Sequence, residues 1–299
     1  MHFCDFAMTN TVKKWSLLIV LSLIWGSSYI LIKKGLIGLT PLQLGSFRII
    51  FTTLILFLAG RSHLKKIPLV AWKWIVLTGY FGTFFPSYLF AFAETKIDSS
   101  VAAVLNGMTP LFTILLGVAA FAVRMKIKQL IGVLIGFGGT LILVSNQFSI
   151  QSGSDANYAF LVVGAASCYA LNVNIIKYRL EGVSALGIAL GNFVVIVPFA
   201  LLILGFSDFQ WRTVQQAPLV LESLGFIFVL ALFGTALAKV MFNQLVAISS
   251  PVFSVSITYL LPIVAVGWGI LDGEQFSALQ WSGCGMILTG VYLVTESKK

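Results

Sequence analysis

The feature that most constrains this chain is a succession of apolar segments, near residues 15–36, 41–60, 70–93, 99–123, 129–146, 157–178, 184–205, 221–247, 251–271 and 278–295, each bounded by charge, Pro or Gly clusters. A membrane span takes about 20 apolar residues. Because lipid offers no partner to a free backbone N–H or C=O, apolar segments of this length must be helices. Composition agrees: 59% of residues are hydrophobic and 10% charged, against roughly 45–50% and about 25% in a soluble domain. Such a chain cannot be divided between one buried core and a wetted surface. A soluble enzyme, a disordered tail and a disulfide scaffold are excluded together, and ten spans leave only short loops. The expected fold is an all-α integral membrane protein of ten transmembrane helices.

The net charge of +9 does not point to nucleic acid, because the basic residues fall between apolar runs and form no stripe. They act as orientation signals. With a cytoplasmic N-terminus, the inner segments hold 13 basic residues (Lys13, Lys14, Arg61, Lys65, Lys66, Lys73, Arg124, Lys126, Lys128, Lys177, Arg179, Lys298, Lys299) and the outer segments hold 4 (Lys33, Lys34, Lys96, Arg212). Ten spans with this bias place both termini in the cytoplasm. Lys13 and Lys14 lead into an apolar run too long for a signal-peptide core and lacking a small-residue cleavage site, so no cleavable signal is expected. Met8-Thr9-Asn10 offers an alternative start, which would make residues 1–7 an upstream extension. Cys4, Cys168 and Cys284 are isolated and read as small packing residues, with neither disulfide nor metal implied.

The chain also contains two copies of one pattern. A shift of 144 residues sets Lys33 on Lys177, Leu36 on Leu180, Leu42 on Leu186 and Arg48 on Asn192. A shift of 152 sets Phe81-Gly82-Thr83 on Phe233-Gly234-Thr235, Phe90 on Phe242 and Pro110 on Pro262, and a shift of 151 sets Gly132 on Gly283 and Gly139 on Gly290. The offset changes only in loops or at their edges, where insertions are tolerated. The expected repeats are 13–146 and 157–295, five helices each. An odd helix count sends the second copy into the membrane from the opposite side, giving inverted repeats of the kind that recur in secondary transporters.

The stretch Leu23-Ile24-Trp25-Gly26-Ser27-Ser28, with Pro41 and Arg48 following, resembles the opening of the EamA branch of the drug/metabolite transporter superfamily. Pro110 and Pro262 in the fourth and ninth helices, and the glycine-rich fifth and tenth, extend the resemblance over about residues 13–295. It implies a ten-helix carrier, often an exporter of amino acids or other small metabolites, in a bacterial inner membrane. One departure stands out. The family often carries Gly-Glu after both the fourth and ninth helices; here Gly273-Glu274 is present, but the first half reads Ala122-Val123-Arg124.

A charge inside the hydrocarbon is costly and usually faces a cavity or a partner. Lys239 lies about 12 Å deep at 1.5 Å per residue and is a candidate pathway residue, although its long stem could also lift the ammonium towards the interface. Its repeat mate Ser87 is a further cavity candidate, and a difference between the halves suits an asymmetric substrate. Arg48, about 10 Å in, is read as a structural brace to helix carbonyls or Glu94, with carboxylate binding as the alternative. Uncharged candidates for a central cavity are Asn106, Asn172, Asn174 and Asn243, with Tyr88, Tyr259, Trp25, Tyr29 and Tyr169. Each Asn could instead serve a neighbouring helix. Helices 1, 3, 4, 6, 8 and 9 would line the cavity. Pro110 and Pro262 are candidate hinges or fixed kinks. Gly132-x-x-x-Gly136 and Gly187-x-x-x-Gly191 permit close helix approach, within the chain or across a homodimer.

No helix centre carries Asp or Glu, so the usual intramembrane proton relay is not indicated. Facilitated diffusion or exchange suits the chain equally well. With Lys239 as the deep charge, the expected substrate bears a carboxylate, such as an amino acid or organic acid. A membrane enzyme would group His, Asp or Glu at the interface, yet His2 and His63 lie apart from any such cluster. No phosphate loop, metal-ligand spacing or nucleophile motif implies a cofactor. A non-transporting scaffold would have no central pocket. The expected partners are therefore a small-molecule substrate and the lipid bilayer.

Overall fold

A computed structural model describes residues 2–97, 99–124, 126–144, 155–209, 218–271 and 277–296. Every regular element among them is a helix. We number these α1 (His2–Gly35), α2 (Pro41–Gly60), α3 (Leu69–Ala93), α4 (Val101–Phe121), α5 (Ile127–Val144), α6 (Asp155–Arg179), α7 (Ala185–Gly205), α8 (Pro218–Ile248), α9 (Pro251–Val255 and Ile257–Leu271) and α10 (Ala278–Glu296). Among the described residues, seven apolar helices are long enough to cross a membrane, and the apolar parts of α5, α9 and α10 are shorter. Large apolar side chains such as Leu58, Phe160, Leu202, Phe206 and Leu288 stand exposed around the outside. Water would oppose that surface, and lipid favours it. This is an all-α membrane protein.

Local signals set the helix starts. Thr40 caps α2 in a reciprocal capping box with Gln43 (Thr40 N to Gln43 Oε1 3.1 Å, Gln43 N to Thr40 Oγ1 3.4 Å), and Pro41 opens the first turn. Ser184 caps α7 through Gly187 N (3.1 Å), and Ser250 caps α9 through Phe253 N (3.2 Å). At the other end of α4, Ala122 adopts a left-handed φ of 52°, a conformation that glycine takes without cost. That position corresponds to the glycine of the Gly-Glu pair that the resembling family often carries. Its counterpart Gly273-Glu274 lies outside the described residues.

The helix neighbours come in matched sets. α1 packs on α8 and α9, α6 packs on α3 and α4, α2 packs on α7, and α5 packs on α10. Exchanging each helix with the one five places along turns this set into itself. The two self-paired contacts are antiparallel. In α5 and α10, a Cβ on Gly132 would lie 2.8 Å from Gly290 O, and one on Gly139 would lie 2.7 Å from Gly283 O. In α2 and α7, Gln43 Nε2 donates to Ser207 O (2.9 Å) at one end, and Gly60 meets Leu186 at the other. The glycine pair Gly187 and Gly191 likewise faces this chain's own His63 and Ile75, so a homodimer would have to use another face.

Both α3 and α8 contain a π-helical stretch, Tyr80–Phe84 in α3 and Leu230–Leu237 in α8. In α3 the reason is local. Pro86 has no N–H, so the carbonyl four residues back, Gly82 O, loses its helical donor, and one residue earlier Phe85 N bonds to Tyr80 O, five residues back, in the π pattern. In α8, Ala238 N reaches Phe233 O and Thr235 O and passes over Gly234 O. Each helix therefore offers one glycine carbonyl sideways, at a residue with no side chain to cover it.

Candidate functional site

Those two carbonyls face a central cavity of about 110 Å³, lined by residues of α1, α2, α3, α4, α6, α8 and α9. Gly82 O accepts from Lys239 Nζ (2.7 Å), and Gly234 O accepts from Trp25 Nε1 (2.9 Å). Close approach of a side chain from a second helix favours glycine at both positions. A Cβ on Gly82 would run into Asn172 Oδ1, and one on Gly234 would fall 2.7 Å from Ser28 Oγ. The two glycines are 152 residues apart and the side chains packed on them are 144 apart, the same two offsets that relate the halves in sequence.

Of the eleven cavity candidates, seven line the cavity: Trp25, Tyr29, Ser87, Asn106, Tyr169, Asn172 and Lys239. Lys239 does not snorkel to the interface; it is buried, with its ammonium held on Gly82. Asn106 Nδ2 donates to Tyr29 Oη (3.3 Å), while the Asn106 carbonyl, which Pro110 leaves without a helical donor, accepts from Thr109 Oγ1 (2.7 Å). Tyr29, Phe90 and Tyr169 form a continuous aromatic wall, with centroids 6.0 and 6.2 Å apart, and Trp25 leans on Phe242 at 5.3 Å.

The other four lie outside the lining, each occupied between helices. Tyr88 Oη bonds Ser46 Oγ (2.9 Å), joining α3 to α2. Asn174 Nδ2 donates to Thr113 O (3.0 Å) and Ala170 O (2.9 Å), joining α6 to α4. Asn243 Nδ2 donates to Ala185 O (3.1 Å) at the start of α7, and Tyr259 Oη donates to Val133 O (3.0 Å) in α5. Pro110 sits in the first turn of Thr109–Phe121, after a turn at Gly107-Met108 interrupts α4, whereas Pro262 lies within Ile257–Leu271.

Arg48 has a dual placement. Its Nε donates to Thr235 Oγ1 (2.9 Å), bracing α2 against α8, and the residue also lines the cavity. Two basic side chains therefore share one space whose lining, among the described residues, holds no Asp, Glu, His or Cys; buried Glu94 lies behind it, close enough to interact electrostatically with Arg48. Sequence reasoning missed Gly82, Thr83, Gly234 and Thr235 as lining residues, although they form the repeated Gly-Thr pair. One signal for Gly82 was present: a proline four residues later strips its carbonyl of a donor. Thr109, Ser254 and Thr258 also line the cavity, without a distinguishing local pattern.

Comparison with known proteins accords with this geometry. The model of the EamA-like transporter family matches the chain twice, over residues 13–145 and 156–296. The protein named "Uncharacterized inner membrane transporter YedA" of Escherichia coli K12 is 30% identical over 94% of this chain and 90% of its own length. The "Probable amino-acid metabolite efflux pump" of Salmonella typhimurium is 23% identical over 94% of each chain. A solved crystal structure shares the fold, with a TM-score of 0.73 over 97% of each chain at 15% identity. With two copies of the family pattern covering nearly all of its length, this chain is a multi-pass membrane protein that belongs to the EamA-like transporter family.

Proposed function

We propose that the protein is a secondary carrier that exports small carboxylate-bearing metabolites, amino acids among them, from the cytoplasm across a bacterial inner membrane. The observation that carries this reading is the pair of cations, buried Lys239 and half-buried Arg48, facing a central cavity with no acidic side chain in its lining among the described residues. A site of that sign attracts an anionic group and disfavours a cation, and low polarity around it strengthens both effects. A relative named as an amino-acid metabolite efflux pump supports the direction and the class.

The reading places alternating access on two inverted five-helix repeats, 13–146 and 157–295, with both termini cytoplasmic. Two observations support it. Helix contacts are preserved when each helix is exchanged with its mate five places along, and the contacts α2 with α7 and α5 with α10 are antiparallel and self-matched, as an axis in the membrane plane requires. Pro110 and Pro262 are the proposed hinges. The test is counterflow in proteoliposomes loaded with an unlabelled amino acid and diluted into labelled amino acid. Accumulation that depends on the loaded carboxylate is expected. Accumulation of amino-acid amides as fast as of the free acids would overturn the assignment. A periplasm-active reporter fused after Lys299 should stay silent; strong activity would refute the orientation.

A further inference from the structure

The cavity wall made by α3 and α6 differs from its counterpart made by α8 and α1. On the α8 side the polar groups are spent on protein partners. Gly234 O accepts from Trp25, Thr235 Oγ1 donates to Leu230 O (3.0 Å) and accepts from Arg48, and Ser28 Oγ donates to Ile24 O (2.8 Å). On the α3 side, Lys239 occupies Gly82 O, but Asn172 Oδ1 and Thr83 Oγ1 have no hydrogen-bond partner among the described residues. Both residues line the cavity, and both are deeply buried, at 2% and 5% exposure.

A buried acceptor without a donor is rare and destabilising, so a pair of them needs an explanation. For a helical threonine the ordinary solution is to donate to a carbonyl one turn back. Thr53, Thr78, Thr113 and Thr140 of this chain all do so, at 2.7–2.9 Å. Thr83 stands in the π stretch and does not. Asn172 Oδ1 meanwhile fills the place that a side chain at Gly82 would take, and the carbonyl of that same glycine holds Lys239. Acceptor and cation thus flank a single residue.

We infer that Asn172 and Thr83 form an acceptor subsite for the ammonium of an α-amino acid whose carboxylate meets Lys239 and Arg48. This rests on the carboxylate reading above and narrows it to substrates carrying both groups on one carbon. The ammonium supplies donors to two oxygens that the protein leaves empty, and those bonds, together with the negative charge of the substrate's own carboxylate, offset the repulsion from Lys239 and Arg48. A simple carboxylic acid would leave both acceptors unpaired, and a site built to bond a donor rejects an analogue that lacks it.

The experiment is thermal unfolding of the full-length purified protein in detergent, titrated with matched triplets. Suitable sets are leucine, 4-methylpentanoate and leucinamide, then phenylalanine, 3-phenylpropionate and phenylalaninamide. For at least one set the amino acid should bind at least about tenfold more tightly than its des-amino acid. Asn172→Leu should reduce that preference to within about threefold by weakening the amino acid, with the des-amino acid retained; Thr83→Val is the second variant should Asn172→Leu fail to fold. Equal binding of the amino acid and the des-amino acid by the unmodified protein overturns the acceptor subsite and leaves the carboxylate reading standing. Equal binding of the amide and the amino acid overturns the carboxylate reading. No shift with any member overturns both.

Discussion

Replacing Lys239 by Met keeps the stem, removes the charge and separates two roles that the lysine could play. In transport, the lost interaction is a desolvated cation facing a substrate carboxylate. Pairs of that kind couple by about 1.5–7 kcal/mol, and Arg48 remains in the same cavity to share the load, so a loss of about 2–3 kcal/mol is the reasonable figure. At about 1.4 kcal/mol per decade that is a rise of about 30- to 150-fold in the apparent KM for carboxylate substrates. In stability the terms oppose one another. Gly82 O loses its 2.7 Å donor, and Pro86 supplies no replacement, at a cost of about 1–3 kcal/mol. Against this, the protein no longer buries an ammonium, a burden of several kcal/mol after relaxation. Met fills the volume with little strain. The expected outcome is weak transport from a protein whose Tm is unchanged or higher, measured by counterflow in proteoliposomes and by thermal unfolding in detergent. An apparent KM within about threefold of the parent, or a clear drop in Tm, would refute the reasoning, because Lys239 would then be a brace that the substrate never meets.

Four further substitutions probe the frame around the cavity. Gly290→Ala places a methyl 2.6 Å from Gly132 O and Gly136 N, backbone that cannot yield, and should destabilise by about 1–3 kcal/mol; Gly285→Ala in the same helix meets nothing within 4 Å and should stabilise by up to about 1 kcal/mol, both read from detergent melts. Ala122→Gly removes a left-handed alanine at φ 52° and should raise stability by up to about 1 kcal/mol; a lower Tm would show that the turn carries no strain. Pro86→Ala returns an N–H that can claim Gly82 O, so Lys239 loses its anchor in part; transport should fall several-fold at constant Tm, and unchanged transport would mean that the π stretch does not position the lysine.

The helices and their environment were legible because both follow from nearest-neighbour physics. A run of apolar residues in lipid has only its own backbone to bond to, so Pro41–Gly60 and Ala185–Gly205 could be read as helices without knowing their neighbours. Much of the cavity was legible too, since Trp25, Asn172 and Lys239 are polar or amphipathic groups at depths where lipid would reject them. The misreadings share one origin. Asn172 and Asn174 are two residues apart, about 200° around a helix, and sequence shows that they point different ways without showing which points inward. Asn172 reaches the cavity and Asn174 reaches Thr113 of α4. Tyr259 is completely buried, yet its hydroxyl serves Val133 O in α5.

By itself, then, the sequence determined an all-α membrane protein with a repeated pattern and a few polar groups too deep to be idle, because burial in lipid and helix formation are decided within a segment. Which of those groups meet was decided by the tertiary structure alone. The 2.7 Å bond from Lys239 to Gly82 spans 157 residues, and Arg48 lies 187 residues from the Thr235 it braces. Contacts of that kind depend on how each helix is rotated against its neighbours, and rotation is set by packing across the whole bundle, through glycines such as Gly82 and Gly234 that let one helix settle onto another.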